Sequence, residues 1–444
     1  MQYLFGVLTL IFIFGCSNIE EPSLNTNKKP KIYTNEIYDL INVPQKIEHY
    51  TEGVNFTNMS YINQEKFEKS YFSVWNLKKP SISVTQIKWP FKIYGAKNSY
   101  GENLQALNKN FFDNMYEESN FDAFGTVNRR AITLKHLNIR AMPTLRPLLL
   151  NPSKAGEGFP FDYLQNSSIG ANKPIYVSHY SLTKEWVFVE SSFAYGWVKA
   201  SEIVFLDKKY TDLWQKSTQL YVIKDNTPIF NEEGKFLFNS KLGTLLPLIK
   251  EDEESYTLLT ISSSSKHRAY FNKSKIEKDS VSVGSLAFNN SNFENIINIV
   301  TISNYGWGGM YKQRDCSSML RDAFAPFGIW LPRNSYKQSL IGEVISLEGL
   351  SDKSKIALIK ERAIPLKTLL YKKGHIMLYV GVYNNEVIIL HNTWGIKTKK
   401  ENKEGRIIIG KAIFSTLKLG SHQRYFDESA ELLKNLKSMN ILND

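Results

Sequence analysis

Between residues 316 and 327, Met319, Leu320, Ala323, Phe324 and Phe327 recur at three- and four-residue spacing. This pattern predicts an amphipathic helix ending near Gly328, with Pro326 shortening its last turn and Pro332 just beyond. Downstream, residues 375–382 and 386–391 form two apolar runs around Asn384-Asn385, the pattern of a β-hairpin. Parity decides which face each end of that hairpin presents. A plain two-residue loop puts His375 and His391 on opposite faces, whereas an odd loop or a bulge brings them to one face. The second arrangement is expected.

Earlier in the chain, helical patches at 64–77 and 103–118 flank a strand-like stretch at 81–93. From 131 to 206 the pattern changes to short strands with Gly, Pro and Asn turns, which predicts a small β-barrel. A block from 220 to 276 has the same order of strands and turns, so a second barrel is expected there. Residues 3–14 are an almost unbroken apolar run, too short to span a bilayer comfortably, and end at Gly15-Cys16. The expected organisation is a signal at 1–16, a polar tether at 17–48, a small domain at 49–128, barrels at 129–207 and 214–282, and a C-terminal domain at 288–444. The fold class is α+β and multidomain.

Composition fits a folded chain, with 42% apolar and 13% aromatic residues in 444, a length suited to several domains that each bury a core. The net charge of +12 comes without a nucleic-acid motif, and the lysines are dispersed, so nucleic acid is not an expected partner. Two cysteines leave none for a structural disulfide once each has its own task. No histidine pair has metal-ligand spacing, and two cysteines do not make a thiolate zinc site, so neither metal nor cofactor is expected.

Cys316 falls in the first turn of the predicted helix, where unpaired N–H groups and the helix dipole favour a thiolate. Asp315, just outside, can accept a hydrogen bond from that turn, although its charge opposes the effect. His375 is the expected general base and His391 the residue that orients it. The N–H of Cys316 is the expected oxyanion donor, with the Tyr305 hydroxyl beside it. His422 and the scattered His49, His136, His179 and His267 have no partner motif, and Trp307 and Trp394 are expected to pack.

At these residues the chain resembles a known family. The ordered motifs Tyr305-Gly-Trp-Gly-Gly309, Asp315-Cys-Ser317, Leu331-Pro-Arg-Asn-Ser335, Gly374-His-Ile-Met-Leu-Tyr-Val-Gly381 and His391-Asn-Thr-Trp-Gly395 are similar to those of NlpC/P60-type cell-wall cysteine peptidases. The resemblance covers about 304–420. It implies a papain-like C-terminal domain that cuts the γ-D-glutamyl-diaminopimelate (or lysine) bond of peptidoglycan stem peptides through an acyl-enzyme. Cys316, His375 and His391 would be catalytic, and Tyr305, Asp315, Ser317 and Ser335 would line the substrate groove. Ser318 departs from the glycine usual after Asp-Cys-Ser, yet serine suits an early helical position.

The same resemblance makes 49–128 a clip-like domain packed across the others and the two barrels bacterial SH3-like domains. In related enzymes the first barrel walls the groove and reads the amine of a terminal L-alanine. Asp162, Glu190 and Tyr195 are the candidates here, with surface turn residues as the competing reading. Gly15-Cys16 resembles a lipoprotein cleavage site, so Cys16 is the expected lipidation residue. That implies an exported, periplasmic, membrane-anchored monomer, with the outer membrane favoured. Two further readings stand beside the peptidase: a non-catalytic wall-binding lipoprotein, and an acyltransferase on the same scaffold.

Overall fold

The computed structural model describes residues 36–442, apart from 55 and 57–62. The apolar run at 3–14 and Cys16 lie outside the described residues. No helix among the described residues is long and apolar enough to cross a membrane.

The N-terminal part is helical and holds the other parts together. It comprises α1 (Tyr38–Asn42), α2 (Glu48–Thr51), α3 (Gln64–Tyr71), α4 (Val84–Ile87), α5 (Trp89–Ile93) and α6 (Lys109–Glu118). Two expectations are corrected here. Residues 36–48 are not a free tether: Val43 and Ile47 are buried, Asp39 accepts from the Thr416 N–H at 2.7 Å, and Gln45 bonds the Phe414 carbonyl at 2.8 Å. The stretch at 81–93 is two short helices rather than a strand. Ser83 and Gln86 form a capping box at α4, and Pro90 sits in the first turn of α5, where its missing N–H has no intrahelical acceptor to lose. The second patch becomes helical only after Asn108, whose side chain accepts from the Phe111 N–H.

Two seven-stranded antiparallel sheets follow. The first is β1 (Arg129–Thr133), β2 (Leu137–Arg140), β3 (Gln165–Ile169), β4 (Pro174–Tyr180), β5 (Trp186–Glu190), β6 (Tyr195–Lys199) and β7 (Ile203–Phe205). Helix α7 (Lys208–Lys216) leads to β8 (Gln219–Val222), β9 (Thr227–Asn231), β10 (Phe236–Ser240), β11 (Leu245–Glu251), β12 (Ser255–Ser263), β13 (Ala269–Glu277) and β14 (Val281–Val283). Their spatial orders are β3-β2-β6-β5-β4-β1-β7 and β10-β9-β13-β12-β11-β8-β14. Adding seven to each label of the first reproduces the second. The duplication that no residue repeat revealed is therefore a repeat of topology.

The C-terminal part contains α8 (Asn290–Thr301), α9 (Cys316–Phe324), α10 (Ser335–Gln338) and α11 (Asp352–Arg362). Its strands are β15 (Glu343–Ser346), β16 (Thr368–Lys372), β17 (His375–Tyr383), β18 (Glu386–Lys400), β19 (Lys403–Thr416) and β20 (Leu436–Ile441), in the order β15-β20-β16-β17-β18-β19. Met319, Leu320, Ala323 and Phe324 of α9 share one core with Ile376, Leu378, Ile388 and Leu390 of the sheet. A fully buried side chain of this size contributes about 1.5–3 kcal/mol, so this shared core fixes the helix on the strands. The helix stops at Phe324, a 3₁₀ turn at Ala325–Phe327 carries Pro326, and Gly328 closes it at φ 70°.

The hairpin has a two-residue loop, Asn384-Asn385, with both residues at positive φ. Register runs Tyr383↔Glu386, Val382↔Val387 and Gly381↔Ile388, then shifts to Tyr379↔Ile389 and Leu378↔Leu390. Val380 is thus an extra residue, a β-bulge that reverses the parity set by the loop. Continued one residue, the register puts His391 opposite Met377.

Candidate active site

Cys316 is the first residue of α9 and is only 8% exposed. Asp315 caps the helix: its Oδ1 accepts from the Ser318 N–H at 2.9 Å, and the Ser318 hydroxyl accepts from the Asp315 N–H at 2.9 Å. Ser318, the departure from the resembled pattern, is therefore half of a capping box. Arg333 adds a two-point ion pair to Asp315 at 2.5 and 3.0 Å and bonds Ser317 at 2.9 Å. Burial acts to raise the Asp315 pKa, but Arg333 and the Ser318 bonds hold the carboxyl below its ordinary value. Asp315 and Ser317 are thus tied to each other and to Arg333, so their part in the site is to set the helix start.

The imidazoles of His375 and His391 meet with Nε2 of the first 2.8 Å from Nδ1 of the second. Nε2 of His391 lies 3.0 Å from the Ser415 hydroxyl, which donates to the Thr416 carbonyl at 3.0 Å. A hydroxyl has one proton, so Ser415 accepts from His391 Nε2–H. Nδ1 of His391 is then an acceptor, His375 carries its proton on Nε2, and the lone pair of His375 is on Nδ1. Burial pushes His391 down to about 3, with Lys372 adding to the effect. Burial, His391 and Lys372 likewise hold His375 well below its ordinary value, so both rings are neutral.

The thiol departs from the expected thiolate. Burial and the Asp315 carboxylate push Cys316 up to about 12, against the opposing N–H groups of Ile376 and Ser317 and the charge of Arg333. The helix opening does not overcome desolvation in a closed site. The resting pair is thiol and neutral imidazole, and a bond from the Ile376 N–H, next to His375, holds the sulfur against β17.

A cavity of about 430 Å³ opens on the two histidines. Tyr305, Trp307, Trp394 and Phe161 form its aromatic wall; Phe161 lies 5.1 Å from the Trp307 ring and 6.0 Å from the Trp394 ring. The two tryptophans expected only to pack thus also face the cavity. Lys372, Lys397 and Arg406 line it, and no Asp or Glu does. Lys397 is paired with Glu404 at 2.9 Å, and Arg406 donates to the carbonyls of Glu157 and Lys154 at 2.9 and 2.6 Å. Lys372 has no ion pair among the described residues, and burial holds its pKa below the ordinary value, with Cys316 acting in the opposite direction. Ser335 opens α10 and is not among the lining residues.

The first β-domain forms one side of the site. Trp307 Nε1 donates to the Asp162 carbonyl at 2.9 Å, Gln165 Nε2 to the Gly308 carbonyl at 3.1 Å, and Arg333 Nε to the Ser167 hydroxyl at 2.9 Å. Gly308 and Gly309 both have positive φ, and a Cβ on them would come within 2.4 Å of the Gln165 carbonyl and 2.1 Å of the Ser168 hydroxyl. The glycine-rich turn is therefore what lets this domain approach.

The three barrel candidates serve otherwise. Asp162 is buried in an ion pair with Arg140 at 2.6 Å. Glu190 is buried against the N–H of Ser81 at 2.9 Å, and Tyr195 packs on Phe188. Asp162 and Glu190 are thus buried rather than surface turn residues. What sequence reasoning missed is Arg333, Ser167 and Lys372; of these only Arg333, inside Leu331-Pro-Arg-Asn-Ser335, carried a signal. Among the described residues no group of three or more His, Cys, Asp or Glu is arranged to hold a metal.

Four family models match the chain. They are the N-terminal NLPC_P60 stabilising domain at 5–124, an SH3 domain of SH3b1 type at 147–199, an SH3 domain of SH3b2 type at 207–253, and the NlpC/P60 family at 301–407. A search of curated proteins finds no match. Among solved structures, an NlpC/P60 endopeptidase from Photobacterium damselae subsp. piscicida shares the fold with a TM-score of 0.77 at 24% identity, over 90% of this chain and 97% of the other. An NlpC/P60 family protein from Bacillus cereus ATCC 10987 aligns with a TM-score of 0.40 at 17% identity, over 67% of this chain and all of the other (100%). Residues 301–407 thus match the NlpC/P60 family, behind segments that match its N-terminal stabilising domain and two SH3 domains, in this order and on a shared fold.

Proposed function

We propose that this protein is an exported cysteine endopeptidase that hydrolyses the γ-D-glutamyl-diaminopimelate (or lysine) bond of peptidoglycan stem peptides. The observation that carries this reading is the relay Ser415–His391–His375, which leaves the Nδ1 lone pair of His375 free as a base, on the residue before Ile376, whose N–H bonds the Cys316 sulfur. In the first step His375 takes the thiol proton as sulfur attacks the carbonyl carbon, and the new oxyanion is met by the Cys316 N–H. That N–H, at the first helical position, has no intrahelical acceptor. Collapse releases the amine, which takes the proton from His375, and water activated by the same nitrogen then hydrolyses the thioester. His391 stabilises the imidazolium formed midway.

The charge of the cavity supports an anionic substrate. Lys372 stands unpaired in a lining without carboxylates, and stem peptides carry free carboxylates at the glutamyl and diaminopimelyl residues. The aromatic wall suits the apolar edge of a peptide backbone. The two SH3-like domains supply further wall contact in this reading. Export rests on the apolar run at 3–14, and Cys16 is the proposed lipid attachment site.

Incubating the protein with L-Ala-γ-D-Glu-diaminopimelate, with Cys316→Ser as control, tests the reading by product mass. Release of free diaminopimelate is the expected result. Intact peptide from the wild-type protein would leave a binding role, and amine adducts at the expense of hydrolysis would mark an acyltransferase.

A further inference from the structure

We propose that the cavity where the two SH3-like domains meet helix α9 is a binding site for one small inorganic anion, chloride or a tetrahedral oxyanion. It lies apart from the substrate cavity and measures about 50 Å³. A water needs about 10–15 Å³ on this scale, so there is room for one small ion and none for a peptide.

The site is assembled from three parts of the chain. His136 and Lys173 come from the first SH3-like domain, Lys241 from the second, and Arg314, Arg321 and Arg333 from α9 and its flanks. The nearby carboxylates are already engaged. Asp225 forms a two-point pair with Arg314 at 2.5 and 2.8 Å, Asp322 bonds the same guanidinium at 2.8 Å, and Asp315 belongs to Arg333.

Three cations, Lys173 buried and Lys241 and Arg321 partly buried, are left with little counter-charge. Lys241 reaches Asp225 only at 3.4 Å, and Arg321 reaches Asp322 only at 3.4 Å. Lys173, 8% exposed, has the Gly243 carbonyl at 3.2 Å and the Tyr71 ring at 4.5 Å. Polar atoms are also unsatisfied: neither ring nitrogen of His136 nor Nε of Arg321 has a hydrogen-bond partner among the described residues. Burial, with Arg321 adding to it and Asp322 opposing, pushes Lys173 down to about 7. Buried charges without partners are strongly unfavourable, and water satisfies hydrogen bonds without neutralising charge. A single anion does both.

The consequence is structural coupling. Ser318 and Arg333, which set the start of α9, also line this cavity, so the anion joins both SH3-like domains to the helix that presents Cys316.

The test uses the full protein exchanged into gluconate, an anion too large for the cavity. Gluconate is then replaced stepwise by chloride in one series and by phosphate in another, at constant ionic strength, while Tm is followed. A saturable rise of several degrees in at least one series is expected, and the series with the lower midpoint identifies the ion. Lys173→Met should melt higher in gluconate than wild type and lose the saturable response. Bromide-soaked crystals should show an anomalous peak within hydrogen-bond distance of Lys173 or Arg321. A Tm that follows ionic strength alone, or a cavity holding only water in those crystals, would overturn the proposal.

Discussion

Asp315 and Arg333 face each other across the start of α9, with Oδ2 2.5 Å from Nη2 and Oδ1 3.0 Å from Nη1. The pair neutralises the carboxylate that stands next to the Cys316 sulfur and orients the residue that caps α9. Arg333→Met leaves that carboxylate buried without a counter-charge, a change worth about 3–5 kcal/mol in comparable pairs. Activity should fall at least about tenfold, and Tm should drop. Arg333→Lys should restore little, because one ammonium does not reproduce two parallel bonds. Turnover and melting curves for the two variants check this.

The histidine relay makes a graded prediction. Cys316→Ala and His375→Ala should abolish turnover, whereas His391→Ala should retain a small residue because His391 orients and stabilises rather than transfers the proton. Ser415→Ala removes only the bond that sets the His391 tautomer, at about 1 kcal/mol, and should cost about fivefold in kcat. Wild-type kcat in His391→Ala would remove the relay from the mechanism.

Because burial and Asp315 hold the thiol up near 12, Cys316 rests protonated. Alkylation by iodoacetamide without substrate should be slower at pH 7 than that of free cysteine, and should climb through the alkaline range. Fast alkylation with a midpoint below pH 7 would instead indicate a resting thiolate.

Lys372 is predicted to hold a substrate carboxylate. Lys372→Met should raise KM about tenfold for a stem peptide with its carboxylates free, and much less for the corresponding amide. A kcat effect equal for both substrates would place Lys372 at the sulfur instead.

Stability should fall in two stages on acidification. Burial holds His136 and His179 down to about 4 and His391 to about 3 in the folded state, while the unfolded chain binds protons near 6.5. Unfolding therefore takes up protons, and stability is lost, as pH falls from about 6.5 to about 3. Towards the acid end, Asp225 contributes. Burial acts to raise it, but Arg314 holds it at about 2, so its contribution is complete above 3.8 and disappears as pH falls through 2. Urea midpoints between pH 8 and 2 should trace both stages, and His179→Gln should make the first shallower by about one proton.

Much of the site was legible in the chain. Helix α9, its end near Gly328 and the place of Cys316 in its first turn follow from spacing, and the need for a bulge or an odd loop follows from parity. These are interactions among residues a few positions apart, which local pattern records. Other features depended on local signals that the pattern concealed or on residues far apart. The bulge at Val380, rather than a longer loop, is set by packing on both faces of β17. The 81–93 stretch became helical through its cap and Pro90, which its alternation concealed. The Ser167–Arg333 bond joins residues 166 positions apart, and the protonated state of Cys316 comes from burial by elements along the whole chain. Sequence by itself brought Cys316, His375 and His391 forward as the candidate groups and determined the local geometry that presents them. Only the tertiary structure decided their charge states and their second wall, because desolvation and charge compensation are properties of the assembled interior.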